Sequence, residues 1–134
     1  GNFVDNRIAD AKAGGPIEMG CDQTVSPTWT GDLSKAVLRL MAHPDLRPGV
    51  YHLVSEGECT WCEFTKEIYR ILGLDVEVRP VDRKGLTGTM RRPLYSVLRN
   101  TRARELGIVL SPWQDGLGRY LKEKYGPCPA RGEQ

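Results

Sequence analysis

No stretch of this 134-residue chain approaches the roughly 20 consecutive apolar residues that a membrane-crossing helix requires. Nor does a charged-then-apolar leader open it, so a cytoplasmic protein without membrane contact is expected. The start at Gly1-Asn2-Phe3, with no methionine, suggests a processed chain or a piece of a longer one. Internal repeats and low-complexity segments are absent, which leaves one folded domain as the default for this length. An excess of charge is lacking too: 19 Lys and Arg against 17 Asp and Glu leave a net +2, too little for a whole-surface nucleic-acid binder. The two histidines, His43 and His52, stand alone. The four cysteines (21, 59, 62 and 128) include a Cys59-x-x-Cys62 spacing but no second ligand pair for a metal. We read them as reduced thiols, because a chain that is 40% hydrophobic can build a core without covalent staples.

What is present reads as a mixed α/β domain over residues 1–126 followed by a polar tail, 127–134. Phe3, Val4, Ile8 and Ala11 mark a weakly amphipathic helix over 2–13, stopped by Gly14-Gly15-Pro16. A strand over 17–21 leads into a loop, 22–30, and then a helix over 31–42 that Thr30 or Asp32 can cap. Pro48-Gly49 turns the chain into a β-rich run, 50–54. Thr60-Trp61-Cys62-Glu63 is a capping box, in which the threonine hydroxyl accepts from the third helical amide and the glutamate reaches back. The helix it opens, over 61–72, ends at Gly73, and alternation from Leu74 to Val81 suggests a half-buried strand. Residues 82–93 form a basic loop, 94–98 a short extended segment, and Asn100 or Thr101 starts a brief helix ending at Gly107. Ser111-Pro112-Trp113-Gln114 offers a second capping box for a helix over 112–125. The strands are short and scattered, so another element is expected to complete the sheet.

Arg79, Arg83, Lys84, Arg91, Arg92, Arg99, Arg102 and Arg104 crowd one stretch in which Asp82 and Glu105 are the acids. Such a run suits a local anionic partner or a solvated face.

Read in order, the segments resemble the C-terminal half of the dTDP-4-dehydrorhamnose reductases, members of the extended short-chain dehydrogenase/reductase superfamily. Gly1-Asn2-Phe3-Val4 looks like their G-N-F-V, Asp22-Gln23-Thr24-Val25-Ser26-Pro27-Thr28 like D-Q-x-G-x-P-T, and Asp32-Leu33 like the start of D-L-A. Gly49-Val50-Tyr51-His52 is similar to G-x-Y-H, Thr60-Trp61-Cys62-Glu63-Phe64 to S-W-x-E-F, and Arg92-Pro93-Leu94-Tyr95-Ser96-Val97-Leu98 to R-P-x-x-S-x-L. Trp113 with Leu117 resembles the last helix. Val25 replaces a glycine, Tyr95 a small polar residue and Arg99 an aspartate, departures that bear on which sugar is handled.

The resemblance implies a small mixed α/β substrate-binding domain whose N-terminal Rossmann domain is absent. That absent part would bind NADPH or NADH and carry the catalytic Tyr-x-x-x-Lys, in cis or in trans, while this part grips the dTDP-sugar, dTDP-4-dehydro-L-rhamnose. No cofactor binding by this chain itself is expected. Arginine's planar fork matches phosphate oxygens, so Arg91 and Arg92, beside the rigid Pro93, are the candidates for the diphosphate. Ser26, Pro27 and Thr28 can shape a pocket wall, Asn2 and Gln23 can add amide hydrogen bonds, and Ser96 belongs to the same motif set. Each also fits a plain loop or cap. Trp29 can stack on thymine or sit at the rim of the core.

Tyr120 and Lys124 spell Tyr-x-x-x-Lys, yet no glycine-rich strand-to-helix turn precedes them to place a nicotinamide. We read them as an i, i+4 surface pair, with no catalytic residue in the chain. Four readings stay open: a dehydrorhamnose reductase portion, a part of another nucleotide-sugar epimerase or reductase, a non-enzymatic regulatory relative with a protein partner, and a small nucleic-acid module. A homodimer that covers an exposed apolar face is a further possibility.

Overall fold

The computed structural model describes residues 1–82, 86–87 and 90–126, without the side chains of 86, 87, 90 and 91. Arg83, Lys84, the Arg91 side chain, Cys128 and the tail 127–134 lie outside the described residues. The order of elements is α1 (Phe3–Ala13), β1 (Ile17–Gly20), β2 (Thr24–Val25), α2 (Thr30–Met41), β3 (Cys59–Thr60), α3 (Trp61–Leu72), β4 (Val78–Val81), β5 (Leu86–Thr87), β6 (Met90–Arg91), α4 (Thr101–Glu105) and α5 (Trp113–Tyr125). This is the mixed α/β domain expected.

The helix α3 organises the larger core. The Thr60 hydroxyl accepts from the Glu63 amide at 3.1 Å while the Glu63 carboxylate accepts from the Thr60 amide at 2.7 Å, so two amides left free at a helix start are satisfied. Gly73, left-handed at φ 65°, ends the helix. Between the caps Cys62, Phe64, Thr65, Ile68 and Tyr69 are buried. Ile68 and Leu121 of α5 are fully enclosed at 0% exposure, and Val4 and Ile8 of α1 join them. The Tyr69 hydroxyl donates to the Arg7 carbonyl at 2.8 Å, which ties α3 to α1. On the same helix rests the parallel pair β1–β4, in register from Ile17 with Val78 to Gly20 with Val81. A second, smaller core gathers Ala36, Ala103, Ile108 and Leu110.

Several expectations need correction. The loop over 22–30 contains β2, which pairs antiparallel with β3, and the basic loop contains the antiparallel pair β5–β6. The strand over 74–81 is paired only from Val78. Neither Thr30 nor Asp32 caps α2, whose N-cap is Trp29 with no side-chain bond; Asp32 instead accepts from Arg119 and Ser111. That bond also defeats the second capping box. The Ser111 hydroxyl is taken by Asp32 and Arg119, and Pro112 becomes the N-cap of α5 without a side-chain bond.

The run 50–54 is not a strand among the described residues. A strand needs a backbone partner, and here a side chain substitutes for one. The Asn100 amide accepts from the Val54 amide at 2.9 Å and donates to the Val54 carbonyl at 2.6 Å, while Arg102 donates to the Val50 and Pro48 carbonyls. A Cβ on Gly49, at φ 140°, would collide with that Arg102 guanidinium.

Thr60→Ala is expected to cost about 1 kcal/mol of unfolding free energy through loss of the cap, and Ile68→Ala about 2–5 kcal/mol through the cavity it leaves. Urea denaturation checks both; equal costs would mean that α3 is held by its cap as much as by its buried face.

Candidate functional site

The candidate residues fall on two adjoining surfaces joined by the loop 23–28. On the first, a ledge, the Thr24 amide donates to the Leu94 carbonyl at 2.8 Å and the Ser96 amide to the Thr24 carbonyl at 3.0 Å. Thr24 thus sits between Tyr95 on one side and Thr60 on the other. Gln23 and Ser96 are thereby brought together, with the exposed Arg92 two residues before Leu94. The Ser96 hydroxyl lies 3.4 Å from the Thr24 carbonyl, a long bond readily exchanged. Tyr95 crosses to Glu58, donating at 2.7 Å, and this bond to a carboxylate raises its pKa.

The second surface is a cleft of about 310 Å³ whose walls are Phe3, Trp29, Trp61, Phe64 and Trp113 and whose polar lining includes Asn2, Thr28 and Tyr120, with Pro27 beside them. The Phe3 and Trp61 rings lie 4.5 Å apart between centroids. Lys35 and Arg119 stand 5.9 and 5.8 Å from the Trp29 ring, distances at which cations steady an indole. Flat aromatic walls with a few polar groups suit a planar ring such as a nucleobase.

Not every candidate is free to bind. Thr28 is a strut: its hydroxyl donates to the Ser26 carbonyl at 3.2 Å and accepts from the Ser55 amide at 3.0 Å. Asn2 is the N-cap of α1, its carbonyl oxygen accepting from the Asp5 amide at 3.0 Å and its amide donating to the Tyr120 hydroxyl at 2.7 Å. Both shape the cleft with their bonding capacity already engaged. The Ser26 hydroxyl, in contrast, is buried without a partner among the described residues, and the Gln23 amide makes no bond to any of them.

The basic stretch is not one anion site. Arg79 pairs with Glu77, Arg104 with Glu56, and Arg102 clamps the turn before Tyr51. Arg92 and Arg99 remain without such a partner among the described residues. A larger groove, about 600 Å³, is lined in part by Arg99, but Glu56, Glu58 and Glu105 outnumber Arg99 and Arg104 along it, so an anion is disfavoured there. Sequence reasoning missed the aromatic cleft. Phe3, Trp61 and Trp113 fall at helix starts scattered through the chain, and only their shared position at three helix N-termini hints at a common wall.

Tyr120 and Lys124 do form the expected i, i+4 pair, at 3.2 Å. Both also bind Asp5, as does Tyr125: Lys124 donates to its carboxylate at 2.6 Å, Tyr120 at 2.9 Å and Tyr125 at 2.6 Å. The Lys124 ammonium first, then the Tyr125 hydroxyl, hold Asp5 well below the usual carboxylate range. The cluster is a clasp between α1 and α5.

The family model described as the RmlD substrate binding domain matches residues 1–125. The chain belongs to this family. It is 35% identical over 127 residues to the spore coat polysaccharide biosynthesis protein SpsK of Bacillus subtilis (strain 168), covering 95% of this chain and 44% of that protein. With a dTDP-4-dehydrorhamnose reductase of Streptomyces griseus it shares 38% identity over 121 residues, 87% of this chain and 40% of the relative. A crystal structure of dTDP-4-dehydrorhamnose reductase from Bacillus anthracis str. Ames in complex with NADP superposes with a TM-score of 0.83 at 32% identity, over 92% of this chain and 44% of that one. The chain therefore spans less than half the length of these relatives. The resemblance read from the ordered motifs, and the substrate-binding fold it implied, are borne out.

Because Asp5 ionises more readily when folded than its ordinary value of 3.8, the clasp contributes stability above about pH 4 and loses it as pH falls further. Asp5→Asn should lower Tm at pH 7 and flatten its decline between pH 5 and pH 2. A decline as steep as that of the parent chain would show that the clasp carries no share of the acid sensitivity.

Proposed function

We propose that this chain is the nucleotide-sugar-binding portion of an NAD(P)H-dependent reductase that converts dTDP-4-dehydro-L-rhamnose to dTDP-L-rhamnose. The observation that carries the reading is the loop 23–28, which serves a polar ledge with Gln23 and an aromatic cleft with Pro27 and Thr28. In this reading a pyrimidine ring enters the cleft between the aromatic walls. The diphosphate meets Arg92 on the ledge, Gln23 and Ser96 address the sugar, and the unpartnered Ser26 hydroxyl is left for a ligand oxygen. Arg91, whose side chain is outside the described residues, is the second phosphate candidate.

The residues described here do not fit a dinucleotide. The parallel pair β1–β4 has two strands, and β1 runs into the Asp22–Thr28 loop instead of a glycine-rich turn that opens a helix. NADPH or NADH is therefore assigned to a Rossmann part, in cis or in trans, and the chain alone is taken as inactive. Supporting such a partner are the exposed Leu38 (67%) and Met41 (71%) on α2 and Val50 (74%) at the head of the unpaired run 50–54. A second copy of the chain is the other way to cover them. A cytoplasmic setting goes with this reading; among the described residues no helix is long and apolar enough to cross a membrane.

A second reading has specific support. A probable dTDP-4,6-dihydroxy-2-methyloxan-3-one 4-ketoreductase of Streptomyces antibioticus and a dTDP-4-keto-6-deoxy-D-glucose reductase of Streptomyces niveus are 35% and 34% identical to this chain. Reduction of a different 4-keto dTDP-sugar is thus the alternative.

Titration calorimetry with dTDP, UDP and GDP should show preferential binding of dTDP. Arg92→Ala should weaken it about tenfold or more, the usual worth of a charge-assisted bond. NADPH with dTDP-4-dehydro-L-rhamnose should give no turnover on this chain. Equal binding of the three nucleotides, or measurable turnover, would overturn the reading.

A further inference from the structure

Two kinds of wall meet in the aromatic cleft. Phe3, Trp61, Phe64 and Trp113 form a chain of ring contacts with centroids 4.5 to 6.1 Å apart. Trp29 lines the same cleft, yet among the described residues no ring contact joins it to the other four. Its own helix places it instead. The Trp29 carbonyl accepts from the Asp32 and Leu33 amides at 3.1 and 3.0 Å, which fixes the root of the side chain at the start of α2. The helix α5 bounds that root on a second side, where a Cβ on Gly116 would lie 3.5 Å from the Trp29 Cβ. The indole then folds onto Gly31. A Cβ on Gly31 would stand 2.5 Å from Cζ2 of the indole and 2.7 Å from each of the two adjoining ring atoms, Cε2 and Cη2. Near-equal distances to three consecutive ring atoms put that point over the face of the six-membered ring, not beyond its edge. They also fall well inside the roughly 3.5–4.0 Å at which two carbons pack.

Backbone geometry does not call for a glycine at this position. Gly31 lies within α2, and its φ is not one of the positive ones. Alanine would suit the helix better, because glycine gives up more conformational freedom on folding. Helix stability thus favours a side chain at residue 31, and the indole excludes one.

We infer that Gly31 is a positioning residue of the cleft: having no side chain, it lets the Trp29 indole lie flat on α2 and leaves the opposite ring face to stack on a nucleobase. The inference rests on the nucleotide reading proposed above and adds to it the residue that sets the angle of one wall. Lys35 and Arg119, 5.9 and 5.8 Å from the indole centroid, steady the electron-rich ring in that position. A methyl at residue 31 has to be relieved by rotation of the indole about its side-chain bonds, since the backbone of Trp29 is tied to α2. The four interlocked rings would keep their places, so the cleft would change on one side only.

The test compares the 134-residue chain with Gly31→Ala, Trp29→Leu and the double variant. In the unsubstituted chain without ligand, the Gly31 α-protons should resonate well upfield of ordinary glycine protons, because they lie over the indole face, and Trp29→Leu should abolish that shift. Gly31→Ala should melt at the same temperature as the parent or higher. It should bind dTDP about tenfold more weakly by calorimetry, the scale of one lost base stack. The Trp29 indole N–H resonance should move in this variant while those of Trp61 and Trp113 stay in place. In the Trp29→Leu background, Gly31→Ala should alter affinity by less than about twofold, because its effect passes through the indole. Gly31 protons at ordinary shifts, a Gly31→Ala chain that binds dTDP as the parent does, or a loss of affinity that persists in the Trp29→Leu background would each overturn the inference and leave the nucleotide reading standing. A marked fall in melting temperature would do the same, by making Gly31 a requirement of folding. A parent chain that binds no dTDP would overturn the nucleotide reading and this inference together.

Discussion

One buried face, that of α3 from Cys62 to Tyr69, carries contacts with nearly every other part of the larger core. The parallel strands rest on it, α1 is bonded to it through Tyr69, and the Phe64 ring meets Trp113 of α5 edge-on at 5.5 Å. A helix of 12 residues is too short to be stable by itself in water. Its reciprocal cap and its apolar face therefore depend on each other: the cap fixes where the helix starts, and the start decides which side chains point inward.

The candidate site inherits its shape from that arrangement. Trp61 and Phe64 are the outward end of the face that buries Ile68, so the aromatic cleft is where the core reaches the surface. The loop from Gln23 to Thr28 is pinned at both ends, by the β2–β3 pair and by the Thr28 hydroxyl on the Ser55 amide. A pinned loop loses little freedom when a ligand arrives, which favours binding by an already formed surface. The Asp5 clasp and the Arg119–Asp32–Ser111 cluster close the cleft's two flanks with charge on α5.

Local rules were legible in the sequence wherever a segment could satisfy itself. The Thr60 capping box and the Gly73 stop involve neighbours along the chain, and both form as read. The failures share one cause. Ser111 and Asp32 carry the right chemistry for caps, but each finds a better partner 79 residues away in sequence, and Val50–Val54 has strand composition yet meets Asn100 instead of a strand. The family's motifs were readable in order, and with them Gln23, Ser96 and Arg92 as separate candidates. That Asn2 and Thr28 use their polar atoms internally was not, because a hydrogen-bond partner distant in sequence leaves no local trace. The aromatic cleft was hidden for the same reason.

The Asn100 amide on Val54 has a directional meaning. Along an extended backbone the N–H and C=O of successive residues point to opposite edges. Asn100 occupies Val54 and Arg102 takes the Val50 carbonyl, both on the edge to which the even-numbered residues point. Among the described residues no backbone hydrogen bond occupies the opposite edge, at Tyr51 and Leu53. A strand formed here can stand at the margin of a sheet but not in its interior, and whatever joins it must approach from one side.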